Sequence, residues 1–272
     1  TTEIYTLSLH DALPISMHNN LEVYCPEDIN CPESINRIAE TEPDLIVTAS
    51  YGGFLGRTIR NLAKFKAINL HPSLLPAYRG ASPIQTALLS GDNVTGNTIF
   101  RLNAKMDAGH ILMQESLDIM ENESYSSLHD RLANQAAQML INLLPVIGEI
   151  SSFPQPEQGV SHCMMFTKEH TQLDFSQDSK TIQNKVRAFS IEPGAFTMFR
   201  GKILKILDTE AVPPITKTPP GMICNIIKNR GFTISTADGE LMILKVQAAG
   251  KKMMDAWSYH LGAHLSPGER VG

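Results

Sequence analysis

Residues 44–50 read DLIVTAS, a continuous apolar run that does not alternate between two faces. A strand of this kind is buried on both sides, which happens when helices cover both faces of a sheet. The surrounding sequence fits that demand. LEVYCP at 21–26 reads as a short strand, and residues 34–41 carry helical spacing through Ile35, Ile38 and Ala39. Residues 67–70 give the next strand and 83–90 a helix, followed by strands at 98–102 and 111–119. A long helix is predicted from Ser124 to Ile147, capped by Ser124 or Ser126. Leu128, Leu132, Ala136, Met139, Leu140 and Leu143 share one of its faces. Strands alternating with helices predict an α/β fold: a Rossmann-like parallel sheet with helices on both faces. Such a sheet opens with a strand and a glycine-rich turn, and nothing before residue 21 supplies them. Residues 1–16, TTEIYTLSLHDALPIS, have no sustained period and join poorly to the segment beginning at Met17, so they read as a foreign leader. The expected α/β domain, 17–150, is therefore N-terminally truncated.

Prolines and polar residues break both periods over 151–165, which reads as a linker. Beyond it the pattern changes. A helix at 179–189 precedes short strands at 195–200, 202–207, 222–227, 232–236 and 241–246, with turns at Arg200–Gly201, Asn229–Gly231 and Asp238–Gly239. A small β-barrel of the oligonucleotide-binding type is expected over 166–272, closed by a helix at 254–265. The charge divides in the same way. Residues 1–166 hold 9 Lys and Arg against 18 Asp and Glu, whereas 167–272 hold 14 against 10. A basic second half suits a polyanionic partner or an ordinary solvated surface. No apolar run approaches the ~20 residues that span a bilayer. Cys25, Cys31, Cys163 and Cys224 match neither a zinc site nor a disulfide framework and read as thiols of a reducing, cytoplasmic setting.

The chemistry concentrates in two stretches, AINLHPSLLPAYRGASPIQTALLSGD at 67–92 and RLNAKMDAGHIL at 101–112. Asn69 and His71 are two residues apart at the end of a predicted strand, so both side chains face the same way. The carboxyl end of such a strand is where α/β sheets place ligands. Pro72 and Pro76 stiffen the following loop, and Asp107 sits in a turn before Gly109. Taken singly, each is common turn chemistry or a structural histidine. None of the histidines shows metal-ligand spacing.

The run INLHPSLLPAYRGASPIQTALLSGD, with TGNTIF and MDAGHIL after it, resembles the folate-dependent formyltransferases. Arg79–Gln85, KVRAF at 185–189, PGAFT at 193–197 and VQAAGKKMM at 246–254 resemble the branch that formylates methionyl-tRNA. The resemblance runs from about Leu21 to the end. It implies that Asn69, His71 and Asp107 are catalytic and that Ser73, Leu74, Leu75 and Pro76 form a folate-binding loop. Tyr51, Gly52 and Gly109 would wall the pterin pocket, within Ala49–Leu55 and the Asp107–Gly109 turn. Arg79, Lys251 and Lys252 would meet tRNA. The implied co-substrate is 10-formyltetrahydrofolate, with no metal, and the implied partner is initiator methionyl-tRNA, bound by a monomer. The implied mechanism has Asn69 and His71 donating hydrogen bonds to a tetrahedral oxyanion, while Asp107 orients the imidazole and favours its charged form. His110 is not expected to be catalytic, and Trp257 and Tyr259 read as core or surface-helix residues. Two features depart from the family pattern: the absent front, and Ser190-Ile191-Glu192 where the branch carries an Asn-Pro-Trp-like segment. The same motif also serves formyltransferases acting on sugar nucleotides or glycinamide ribonucleotide, and formyltetrahydrofolate hydrolase. A folate-binding fragment with impaired turnover is a further alternative.

Overall fold

The computed structural model describes residues 3–5, 18–190, 192–213 and 218–272. Most of the leader expected over 1–16, the start at Met17 and Ile191 of the departing segment lie outside the described residues. Two compact units emerge. The first comprises Thr1–Ala81, Gly96–Leu117 and Leu132–Cys163; the second comprises Ser82–Thr95, Asp118–Arg131 and Met164–Gly272.

The first unit holds strands β1 (Glu3–Tyr5) and β2 (Glu22–Tyr24), helix α1 (Pro32–Glu40), β3 (Ile46–Ala49), α2 (Arg57–Arg60), β4 (Ala67–His71) and β5 (Arg79–Gly80). Helix α1 starts with Pro32 at its first turn and Cys31 as its cap. Helix α3 (Pro83–Ser90) belongs to the second unit; β6 (Val94–Arg101), β7 (Ile111–Asp118) and helix α4 (Tyr125–Leu143) have their larger parts in the first, and β8 (His162–Cys163) lies entirely in it. The main sheet has the order β3-β4-β6-β7. β3 and β4 run parallel, but β4 and β6 run antiparallel. The sheet is therefore mixed, a correction to the all-parallel expectation, because an apolar run carries no strand direction; β3 is moreover an edge strand with Val47 40% exposed, so the run at 44–50 is not buried on both faces as expected. β1 pairs in parallel with β2 inside the segment read as structureless, with Ile4 opposite Val23. A three-residue strand is too short to leave a period in the sequence.

The core of this unit packs Ile68, Ile99 and Leu112 of the sheet against Met139 and Leu143, on the face of α4 that the sequence predicted, and against Ile147 just beyond the helix. Ser124 caps that helix, with its hydroxyl accepting from the Ser127 amide and its carbonyl from the Leu128 amide. A second cluster, Ile29, Ile38, Leu55 and Ile59, packs α1 and α2 beneath the loop that follows β3.

In the second unit, α5 (Ser179–Ala188) is capped by Asp178 and is followed by β9 (Ala195–Phe199), β10 (Lys202–Val212), β11 (Ile223–Ile227), β12 (Gly231–Ser235), β13 (Glu240–Ala248), β14 (Met254–Asp255) and α6 (Ala256–Ala263). The strands form one antiparallel sheet, β11-β12-β13-β10-β9, with β14 on β13. Its core includes Phe189, Ile206, Phe232, Ile234 and Ile243. No closed barrel forms among the described residues, which corrects the expected β-barrel. Closure needs the first and last strands to pair, and here β11 and β9 do not. Residues 268–272 instead run along both edges: the Val271 amide donates to the Gly221 carbonyl and the Gly272 amide to the Met198 carbonyl. Edge groups that a barrel would have paired are satisfied this way.

Candidate active site

The strand β4 delivers both predicted polar residues. In register, Thr48 of β3 stands beside Asn69, while Phe100 and Thr98 of β6 stand opposite Asn69 and His71. Asn69 is half-buried, and its Oδ1 accepts from the Thr48 hydroxyl at 2.6 Å. The bond from Thr48 fixes which end of the Asn69 amide is the oxygen and leaves Nδ2 as its two-donor end.

His71 is 5% exposed. Its Nε2 lies 2.9 Å from the Tyr78 carbonyl, which can only accept, so Nε2 carries the proton. Nδ1 faces the Asp107 carboxylate at 3.8 Å. Burial pushes the imidazole below its ordinary value, against the opposing influence of Asp107 and the weaker one of the Tyr78 carbonyl. The expected mechanism has Asp107 prevail and the imidazole charged; in the structure desolvation prevails. The neutral ring with Nε2–H fixed has a bare lone pair on Nδ1, so His71 is equipped to accept a proton there and not to donate one.

Asp107 occupies the left-handed region, with φ of 46°. Its carboxylate accepts from the Gly80 amide at 2.8 Å. Gly109 explains why this turn needs glycine: a Cβ there would lie 1.7 Å from the Arg101 carbonyl oxygen. β6 and the Asp107 turn therefore approach too closely for any other residue.

The predicted folate loop divides. Ser73, Leu75 and Pro76 are buried. The Ser73 hydroxyl donates to the Ala77 carbonyl, and Leu75 packs with Phe100 and Ile111. These residues shape the loop from within, and Leu74 is its half-buried member. Thr98 ties the loop to β6, accepting from the Leu75 amide at 3.1 Å and donating to the Ser73 carbonyl at 2.6 Å. Gly52 is exposed, and a Cβ there would meet open space. Burial and then the Asp28 carboxylate hold the half-buried Tyr51 hydroxyl above its ordinary range.

Of the predicted tRNA contacts, Arg79 belongs to the first unit and its guanidinium is held by Gln155. Lys251 and Lys252 are exposed in the second unit, in the turn after β13. His110 is exposed, and its carbonyl accepts from the Arg101 amide. Trp257 and Tyr259 lie on α6, with the indole tilted against His260. The residues that sequence reasoning missed are Thr48, Tyr78 and Gln155. Tyr78 acts through its backbone carbonyl, which leaves no trace in residue identity. Among the described residues no group of three or more His, Cys, Asp or Glu could hold a metal ion, and no helix is long and apolar enough to cross a membrane. A cavity of about 420 Å³, lined by Asn122, Gln183, Arg187 and Lys245 among others, belongs to the second unit and includes none of the residues above.

A buried histidine whose Nδ1 faces a carboxylate, beside an amide donor, is able to take up a proton and to polarise a carbonyl. Residues 10–144 match the formyl transferase family and residues 165–264 match its C-terminal domain. The first match begins upstream of Leu21. The chain belongs to the methionyl-tRNA formyltransferase family of formyl-transferring enzymes: it is 37% identical over 264 residues to methionyl-tRNA formyltransferase of Methylococcus capsulatus, covering 95% of this chain and 83% of that one. Two solved structures share the fold. HypX from Aquifex aeolicus, in complex with tetrahydrofolic acid, is 21% identical with a TM-score of 0.65. That alignment covers 94% of this chain and 46% of HypX, so the chain spans about half of that protein's length. The N-formyltransferase from Helicobacter canadensis, in complex with folinic acid and dTDP-3-aminofucose, is 18% identical with a TM-score of 0.62, covering 87% of this chain and 82% of the other.

Proposed function

We propose that this chain transfers the formyl group of 10-formyltetrahydrofolate to the α-amine of methionine on initiator tRNA. The observation that carries the reading is the fixed tautomer of His71: Nε2–H on the Tyr78 carbonyl, and Nδ1 open toward Asp107. The amine attacks the formyl carbon and a tetrahedral centre forms. Asn69 Nδ2 donates to the developing oxyanion, a preorganised contact worth roughly 3–4 kcal/mol. His71 Nδ1 takes the amine proton, and the Asp107 carboxylate stabilises the resulting imidazolium. The bond from the formyl carbon to N10 then breaks, and the proton passes from His71 to N10 of the departing tetrahydrofolate.

Leu74, Tyr51 and Gly52 border the folate, with Ser73, Leu75, Pro76 and Gly109 shaping the wall from behind. Lys251 and Lys252 meet tRNA phosphates on the second domain, 166–272, which follows the catalytic domain and the 151–165 connection. Arg79 is the candidate tRNA contact on the catalytic domain. The cytoplasm is the compartment that fits this pair of substrates. Transfer of labelled formyl from 10-formyltetrahydrofolate to charged initiator tRNA, set against an amino-sugar nucleotide, tests the assignment. The tRNA is expected to be the faster acceptor by at least tenfold in kcat/KM. Preference for the amino sugar would move the chain's activity to another branch of formyl transfer.

A further inference from the structure

The 151–165 segment reads as a linker, yet its residues return to the proposed reacting centre in the first unit. Phe153 pairs with Ile111, its amide donating to the Ile111 carbonyl at 3.0 Å. The Ser161 hydroxyl accepts from the Tyr78 amide at 2.9 Å, and β8 pairs in parallel with β5, Gly80 opposite Cys163. Between these anchors stands Gln155. Its Nε2 donates to the Asp107 carbonyl at 2.8 Å and to the Gly109 carbonyl at 2.9 Å. Its Oε1 accepts from both Nε and Nη2 of Arg79.

A carboxamide can make four hydrogen bonds, two given and two received, and Gln155 makes all four. Both ends are chemically committed. Two carbonyls accept only from an NH2 group, and a guanidinium donates only to an oxygen. The side chain therefore has one orientation and no spare capacity for a ligand. One of the two carbonyls belongs to Asp107 itself, the residue whose carboxylate faces His71, and the other to Gly109 two residues on; Asp107 is in the left-handed region. A left-handed non-glycine residue is held in place by its surroundings, and here Gln155 holds the carbonyl side of the turn while Gly80 holds the carboxylate.

We propose that Gln155 is a positioning residue for formyl transfer, fixing the Asp107 carboxylate against His71 and Arg79 beside the same turn. This rests on the roles proposed for His71 and Asp107. Asp107 is the charged group that faces His71. Arg79 of β5 and Cys163 of β8 flank it, the first through Gln155 and the second with its thiol donating to the Tyr78 and Arg79 carbonyls.

Two variants separate the arms. Gln155→Ala removes all four bonds. Gln155→Glu keeps an oxygen for Arg79 but sets carboxylate against the two turn carbonyls. Steady-state formylation by both should show kcat down about 10- to 100-fold, as a displacement near 1 Å would produce, with KM for folate and tRNA within threefold. The acid limb of the pH profile should move to lower pH, because His71 loses the carboxylate that supports its charged form.

Titration of the His71 Cε1–H resonance in the full chain, assigned with His71→Gln, reads the same coupling without any substrate. A downward shift of the His71 midpoint in both Gln155 variants is the expected result. If wild-type chain transfers formyl and both variants keep kcat within twofold with an unmoved His71 midpoint, Gln155 is not a positioning residue. If the midpoint shifts in a chain that transfers no formyl group, the positioning stands and the proposed function fails. Should Gln155→Ala not fold, Gln155→Glu alone decides between these outcomes.

Discussion

At His71 two effects oppose each other, and the balance sets the pH at which the centre works. Burial lowers its pKa and Asp107 raises it. Only the neutral ring can take the amine proton, so activity falls as pH drops through the His71 value, which lies below that of a free imidazole. Asp107→Asn removes the raising influence. The acid limb of kcat/KM should then move to lower pH, while kcat falls by roughly 10²–10⁴ because the imidazolium loses its counter-charge. An acid limb that moves upward would contradict this sign. Thr48→Val tests the other arm: it frees the Asn69 carboxamide to rotate and should slow turnover about tenfold, the cost of one misaligned donor, with circular dichroism unchanged. Asn69 and His71 were legible as a polar pair on one strand face from their spacing, but their reading as a reacting centre with Asp107 came from the resemblance of the flanking runs to the folate-dependent formyltransferases. The proton's location on Nε2 was not legible, since it depends on the Tyr78 backbone carbonyl.

The elements around the site differ in how openly the sequence announces them. α3 runs Pro83–Ser90, as its spacing predicts, because proline at the first turn and Gly91 in the left-handed region mark both ends. The pairs β5 and β8 are two residues each, too short for any period, and the prolines and glycine of 151–165 mask a segment that is pinned at Phe153, Gln155, Ser161 and Cys163. The antiparallel strands of the second unit were legible one by one. Whether they close into a barrel was not, because closure depends on residues far apart in the chain. The tightest constraint on an element is at Gly109. Gly109→Ala should displace the Asp107 turn from β6, and turnover should drop at least 100-fold, the scale expected for a misplaced catalytic group. Near-normal turnover in that variant would mean that the turn geometry is irrelevant to the reaction.

Over the whole molecule, the acidic first part and basic second part divide the work that the proposed function asks for. Phosphate contacts release counterions, so affinity for tRNA should fall with salt far more steeply than affinity for folate. Lys251→Ala and Lys252→Ala should each lower the slope of log affinity against log salt by about one. Unchanged slopes would remove both lysines from the interface. In the second unit's sheet, Phe232 of β12 is 1% exposed. Phe232→Ala should cost about 3–5 kcal/mol in denaturant unfolding. Central to the proposed function is the proton that His71 takes during formyl transfer from folate to methionyl-tRNA. Single-turnover formylation with both substrates saturating tests that step most directly. His71→Ala should be slower than wild type by at least ~100-fold, the usual contribution of a general base, with unchanged folate affinity; a rate within threefold of wild type would contradict the claim.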